Sequence, residues 1–400
     1  SGPLSTTRDI ALGTGGGTVD LGSNSFGIGG AVSGKGALTV TGKGGTLSLA
    51  QAGSYSGGTV LRDGAAITTT ASGALGSGAV LQQGNDTTLT LLGSASGGSN
   101  GYTVGRAGSS DDGNLLAFGQ TATAAAANIV VNGKGWQSAT TNELRFGTSA
   151  SAGSATLANA GGAIRFVGAS SAGTATISNG DKGLLAFAGS ATAGSAKIAN
   201  ASGGLVAFLE GASGAKSTLA NAAGGVVDVS GSTSKTDVEL GSLSGAGGVV
   251  LGATQLTLGG LNAGDTISGV VSDKGSVFAQ PGSGIGGSIV KVGSGTLSLS
   301  GANTYTGGTT VAGGTLAANN ASGSATGMGA VQVQSGATLA GTGSISGAVN
   351  IAKGGVLSAG NGGAGTLTVG SLSLANGAVL NYDLGQAGVA GGALNDLVNV

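Results

Sequence analysis

Apolar and polar residues alternate in short runs along almost the whole chain. Thr46-Leu47-Ser48-Leu49, Thr296-Leu297-Ser298-Leu299 and Thr366-Leu367-Thr368-Val369 each send every second side chain to the same face. That period of two marks a half-buried strand. The runs last about four to six residues and end in clusters of Gly, Asn and Ser, which predicts short strands joined by tight corners. No amphipathic helix is predicted. The run Ala124–Ala127 is the best local candidate and is too short to nucleate one.

A longer period lies on top of the short one. The segments 144–163, 164–183, 184–204 and 205–225 read as four copies of one unit. Phe146, Phe166, Phe187 and Phe208 recur at spacings of 20, 21 and 21, and so do Asn159, Asn179, Asn200 and Asn221. A fifth unit puts Val229 in the Phe place, and a looser copy precedes them at Leu115-Leu116-Ala117-Phe118. Strand grammar repeating at this length predicts an all-β parallel solenoid with one turn per repeat. Three short strands and three corners fill such a turn. Successive turns then pair about 4.8 Å apart, with Phe stacked on Phe inside and an Asn ladder at one corner. Both columns read as structural. The expected organisation is N-terminal turns over 1–100, the Phe/Asn repeats over 101–240 and C-terminal turns over 241–400.

Composition fits a thin, repeated core. Of 400 residues 89 are Gly, 8% are charged and 3% aromatic. Disorder is disfavoured by the alternating Val, Ile and Leu and by a positive mean hydropathy. Net charge is −1 and the 15 basic residues are scattered, which argues against nucleic acid as a partner. With no Cys and no His, a disulfide framework, a Cys-based metal site and a Ser-His-Asp site are ruled out. No cofactor or metal is expected. No apolar stretch is long enough for a spanning helix. The chain reads as a fragment of a longer protein, with Ser1-Gly2-Pro3 as an appended tripeptide.

Few residues carry candidate chemistry. Gly97-Gly98-Ser99-Asn100-Gly101 fits G-x-S-x-G, but no helix or histidine follows. Gly29–Gly36 approaches a phosphate loop but lacks its final Ser or Thr. Asp111-Asp112, the one adjacent acidic pair, reads as part of an exposed loop. Arg145 and Arg165 fall one turn apart on the outer face, near Glu143. As a stacked pair they are candidate contacts for a sulfated sugar or sialic acid, against two plainly solvated side chains. Trp136, the single tryptophan, either covers its loop or offers a stacking platform.

One short phrase occurs twice: QAGSYSGGTV at 51–60 and GANTYTGGTT at 301–310. It reads as strand, Gly-Gly corner, strand, with Tyr55 or Tyr305 covering the turn beside Gly57-Gly58 or Gly307-Gly308. The wider stretch 284–316, GIGGSIVKVGSGTLSLSGANTYTGGTTVAGGTL, closely resembles the passenger-associated transport repeat. Residues 34–67 are similar to it without the Asn before the Tyr, and both copies run into related tails, ASGALGSGAV (71–80) and ASGSATGMGAV (321–331). The resemblance implies a type V secreted autotransporter passenger of a Gram-negative bacterium, folded as a right-handed parallel β-helix. Such a passenger is secreted to the cell surface through its own C-terminal β-barrel translocator, which lies outside these residues. Lack of Cys fits a chain that crosses that barrel unfolded. The implied function is non-enzymatic: adhesion to a host cell surface or matrix ligand, or self-association along the rod. The alternatives are a passive stalk and a β-helical enzyme acting on polysaccharide.

Overall fold

The computed structural model describes residues 4–138, 140–232, 238–275 and 284–400; Ser1-Gly2-Pro3 lies outside them. Among the described residues every regular element is a strand, of two to nine residues. The chain divides into two compact units, Ser1–Ile198 with Gly203–Leu205, and Ala199–Ser202 with Val206–Val400.

The first unit is a three-sided parallel solenoid. Leu4–Thr6, Ile10–Leu12 and Gly17–Asp20 pair with Ser25–Ile28, Val32–Gly34 and Leu38–Thr41 of the next turn. Farther along, two sides keep their strands. One side runs from Ala66–Thr69 through Thr88–Leu91, Leu115–Phe118 and Glu143–Phe146 to Ala163–Phe166 and Leu184–Phe187. The second side shrinks to one bridge per turn, through Ser96, Thr123, Ser151, Ser171 and Thr192. Here the expectation of three strands in each turn is corrected. The hydroxyl of each bridging residue accepts the N–H two residues on. Ser and Thr favour that local turn, which bends the chain away before a strand can extend.

Phe and Asn side chains stack in columns from turn to turn. Phe118, Phe146, Phe166 and Phe187 stack nearly parallel, with centroids 5.1, 4.7 and 4.9 Å apart, close to the strand spacing that sets them. Asn159 donates its amide to Asn179 Oδ1 at 2.8 Å and to the Leu184 carbonyl. In the second unit Asn200 does the same to Asn221 Oδ1 at 2.9 Å and to the Val226 carbonyl. Phe208 and Val229 are fully buried there. Because each amide bonds both its ladder neighbour and a backbone carbonyl, the buried polar groups are satisfied.

Turn length is less regular than the central spacing suggests. Glu143 pairs with Ala163 and Ala163 with Leu184, 20 and 21 positions on. Thr88 pairs with Leu115 and Leu115 with Glu143, 27 and 28 positions on. The surplus lies in the two corner loops 105–114 and 133–142.

The second unit is also a parallel solenoid. One side runs through Gln255–Leu258, Ser288–Lys291, Thr309–Val311 and Val331–Val333. Another runs through Asp265–Ile267, Thr296–Leu299, Thr315–Ala318, Thr338–Gly341, Val356–Ala359 and Val379–Asn381. Ser344–Ile351 and Thr366–Leu374 each continue round a corner, with a register shift between Ile345 and Ala348.

Candidate functional site

Both copies of the tyrosine phrase build the same buried turn. Tyr55 and Tyr305 are fully buried. Each phenol lies 2.6 Å from the hydroxyl four residues on, Thr59 or Thr309. The Gly-Gly pair between them lets the chain double back far enough for Tyr and Thr to meet. Burial pushes the Tyr55 phenol up to about 12, against the bond from Thr59, and pushes Tyr305 up as well. Both therefore stay protonated, and either hydroxyl of each pair can donate to the other.

The next turn roofs the ring with a glycine. A Cβ on Gly76 would collide with the Tyr55 carbonyl and reach within 3.0 Å of its ring. A Cβ on Gly327 would do the same to Tyr305. That is why both copies run on into similar tails. The two glycines of each pair differ. Gly57 and Gly307 both sit against backbone of the preceding turn, at Gly36 and Gly287. Gly58 has φ 91° and would put a Cβ 2.5 Å from the Ala79 carbonyl, whereas Gly308 has ordinary φ and 3.0 Å to Ala330. The missing Asn of the first copy also has a reason. Asn303 accepts the Val271 N–H and donates to the Ala325 carbonyl. At Gly53 a Cβ would lie 2.8 Å from the Tyr55 ring.

The two corner loops carry a cluster of charged side chains. Arg106 grips Asp111 through Nε at 3.1 Å and Nη2 at 3.4 Å. Asp112 accepts Thr140 Oγ1 at 2.8 Å and lies 3.8 Å from Lys134 Nζ. Lys134 also donates to the Ser110 carbonyl, and Asn142 to the Asp111 carbonyl. The second loop thus lies directly on the first. Asp111 and Asp112 are 6% and 9% exposed, which corrects the expectation of an exposed acidic loop: Arg106 of the same loop engages Asp111, and Lys134 and Thr140 of the next turn cover Asp112. Burial pushes the Asp111 carboxyl up, but bonds from Arg106 and from the Gly84 and Arg106 backbones outweigh it and hold it below the usual value.

Arg145 and Arg165 are register partners on adjoining strands. Both meet Glu143, Arg145 Nε at 2.6 Å from Oε1 and Arg165 Nε at 3.7 Å from Oε2. Trp136 is half-buried in the second loop, its backbone N–H on the Lys182 carbonyl. The structure therefore brings Arg145, Arg165 and Glu143 together, and places Trp136 in the loop that leads into their strand.

Several contributors are invisible to a reading of spacing. Asn114 and Asn142 form a second amide column: Asn114 bonds Thr87, the Gly84 carbonyl and Asn142. Each stands just before an apolar strand, a signal that could have found them. Lys291 is fully buried, its ammonium held by the Val292, Gly293 and Gly313 carbonyls. Its inward parity within Ser288–Lys291 was the clue. The G-x-S-x-G match forms a side-two corner in which Gly97 O accepts the Tyr102 hydroxyl. The pocket beside it encloses roughly 30 Å³, room for a water but not a sugar ring. Among the described residues no three acidic side chains gather as a metal site requires.

Residues 38–65 and 289–318 match the passenger-associated transport repeat family. Over 155 residues the chain is 32% identical to the Adhesin BmaC autotransporter of Brucella suis biovar 1 (strain 1330). That stretch is 38% of this chain, and the match spans 4% of the relative's length. A solved structure of a TibC-catalysed hyper-glycosylated TibA fragment aligns over 98% of both chains at 14% identity, with a TM-score of 0.20. The two matched segments are passenger-associated transport repeats, and over these stretches the chain is similar to autotransporter sequence.

Proposed function

We propose that this segment is a surface-displayed, non-enzymatic adhesive module, exported through a translocator barrel encoded elsewhere in its protein. The observation that carries this reading is the charged loop surface on the first unit. Two consecutive turns each gain a corner loop at the same place, where the turns lengthen to 27 and 28 positions. In solenoids, insertions of this kind collect on the binding face. The similarity to a relative named as an adhesin supports the same reading. Polysaccharide cleavage is less well supported, because Asp111 and Asp112 are each already engaged by a cation or hydroxyl and neither is poised as a free acid or base.

The experiment is display of the chain on a non-adherent bacterium, followed by counting attachment to epithelial cells and to immobilised matrix proteins. Sedimentation velocity over a wide concentration range runs beside it. Attachment or reversible self-association supports the module. A displayed chain that neither attaches nor associates overturns it and leaves a stalk.

A further inference from the structure

We propose that loop residues 105–114, 133–138 and 140–142, together with the outward positions of Glu143–Phe146 and Ala163–Phe166, bind an anionic polysaccharide carrying sulfate or carboxylate groups along its length. This rests on the adhesive reading above and names its ligand class.

The argument starts from the way charge is layered. In each of the four ion pairs of this region the acid is less exposed than the base. Side-chain exposures are 5% for Asp111, 12% for Asp112 and 14% for Glu143, against 59% for Arg106, 51% for Lys134, 47% for Arg145 and 33% for Arg165. The carboxylates lie beneath and hold the cations in place, and the cations face water. A ligand meets preset positive groups whose side-chain entropy is already partly spent. At Glu143 one carboxylate serves two guanidiniums, so this corner keeps a net positive charge. Arg145 and Arg165 both use Nε for that contact, which leaves the terminal N–H groups as donors for a planar anion.

The layout favours a chain of anions over a single compact one. Arg145 and Arg165 repeat at the strand spacing of about 4.8 Å, and Arg106 and Lys134 continue the positive surface on the stacked loops. A nucleic acid duplex asks for a denser cationic array than a chain of net charge −1 supplies.

The test is equilibrium binding of the whole chain to dextran sulfate, with uncharged dextran of the same length as control, at about 50 mM salt, where surface charges are little screened. Lys134→Gln with Arg145→Gln is compared with Lys134→Arg with Arg145→Lys, and circular dichroism verifies that both variants fold. The expected result is binding to dextran sulfate alone, weakened about tenfold in the Gln variant, kept within about threefold in the charge-retaining one, and lost on adding salt. Equal binding by all three proteins, or no binding by the parent chain, overturns the proposal. Duplex DNA bound as tightly, with the same loss in the Gln variant, overturns the glycan assignment in favour of a general polyanion surface. Cell attachment is read separately. Absence of the dextran sulfate complex therefore removes this ligand class, whereas absence of both attachment and self-association removes the adhesive reading.

Discussion

Tyr305 and Thr309 share a buried hydrogen bond of 2.6 Å, and Tyr55 and Thr59 make the same bond 250 positions earlier. The second hydroxyl is less equal than the first. Thr59 also donates to the Leu75 carbonyl at 3.2 Å. Tyr305→Phe strands a buried hydroxyl and should cost about 1–3 kcal/mol, whereas Tyr55→Phe should cost about 0.5–1.5 kcal/mol. Urea unfolding midpoints of the two variants check the order, and a larger loss for Tyr55→Phe would refute it.

The same tyrosines set an alkaline limit. A phenol whose folded pKa is raised contributes stability that is complete below its unfolded value, about 10. That contribution is lost as pH climbs through the folded value, about 12 for Tyr55. Stability should therefore hold up to pH about 10 and fall across the two units above it. Phenolate absorbance of the buried tyrosines should rise only with loss of the β-sheet circular dichroism signal. Titration of all tyrosines near pH 10 with the fold intact would contradict this.

Gly307 and Gly308 look interchangeable in sequence and are not. A Cβ on Gly307 runs into the Gly286 and Gly287 carbonyls, while one on Gly308 meets only Ala330 O at 3.0 Å. Gly307→Ala should cost more than about 2 kcal/mol and Gly308→Ala about 1 kcal/mol or less. Gly58→Ala should match Gly307→Ala, because Gly58 combines φ 91° with a 2.5 Å approach. Thermal melts of the three variants decide it.

Thr148 has φ 54°, a costly conformation for a β-branched residue. Gly168, which packs over it in the next turn, has φ 68°. Thr148→Gly should raise stability by about 0.5–1 kcal/mol, since relief of the left-handed strain exceeds the entropy that Gly adds to the unfolded chain. Gly168→Thr should lower it. A destabilised Thr148→Gly protein would show that Thr148 makes a contact worth more than the strain.

Acid should loosen the candidate site before it melts the solenoid. The Asp111 carboxyl is held below its ordinary value. Its contribution is present above the unfolded pKa, about 3.9, and is lost as pH falls through the folded one. Limited proteolysis with an acid protease should cut within 105–114 below pH about 4, and a protease active at neutral pH should cut Asp111→Asn there as well. Protection of that loop in Asp111→Asn would show that Arg106 does not depend on the charge.

Much of the fold was legible because a solenoid turns sequence period into contact. Phe146 meets Phe166, and Asn159 meets Asn179, for no other reason than a separation of one turn. The Tyr–Thr bond was not legible, since i, i+4 partners in strand grammar face each other only after the Gly-Gly corner doubles the chain back. Lys291 escaped notice because its three carbonyl partners come from corners rather than from its own strand. The spacing puts Arg145 and Arg165 one turn apart, and they are register partners. That one carboxylate holds both became visible only with the side chains in position.

By itself the sequence determined the strand content, the stacking period and the inward columns, because parallel pairing equates residues one turn apart and regular repeats thereby specify their own neighbours. The tertiary structure alone decided what breaks the repeat. It reduced the second side to single bridges through local hydroxyl turns. It buried Asp111 and Asp112 beneath cations of loops that no period governs. Inserted loops have no equivalent one turn away, so their partners are chosen by packing and charge in three dimensions.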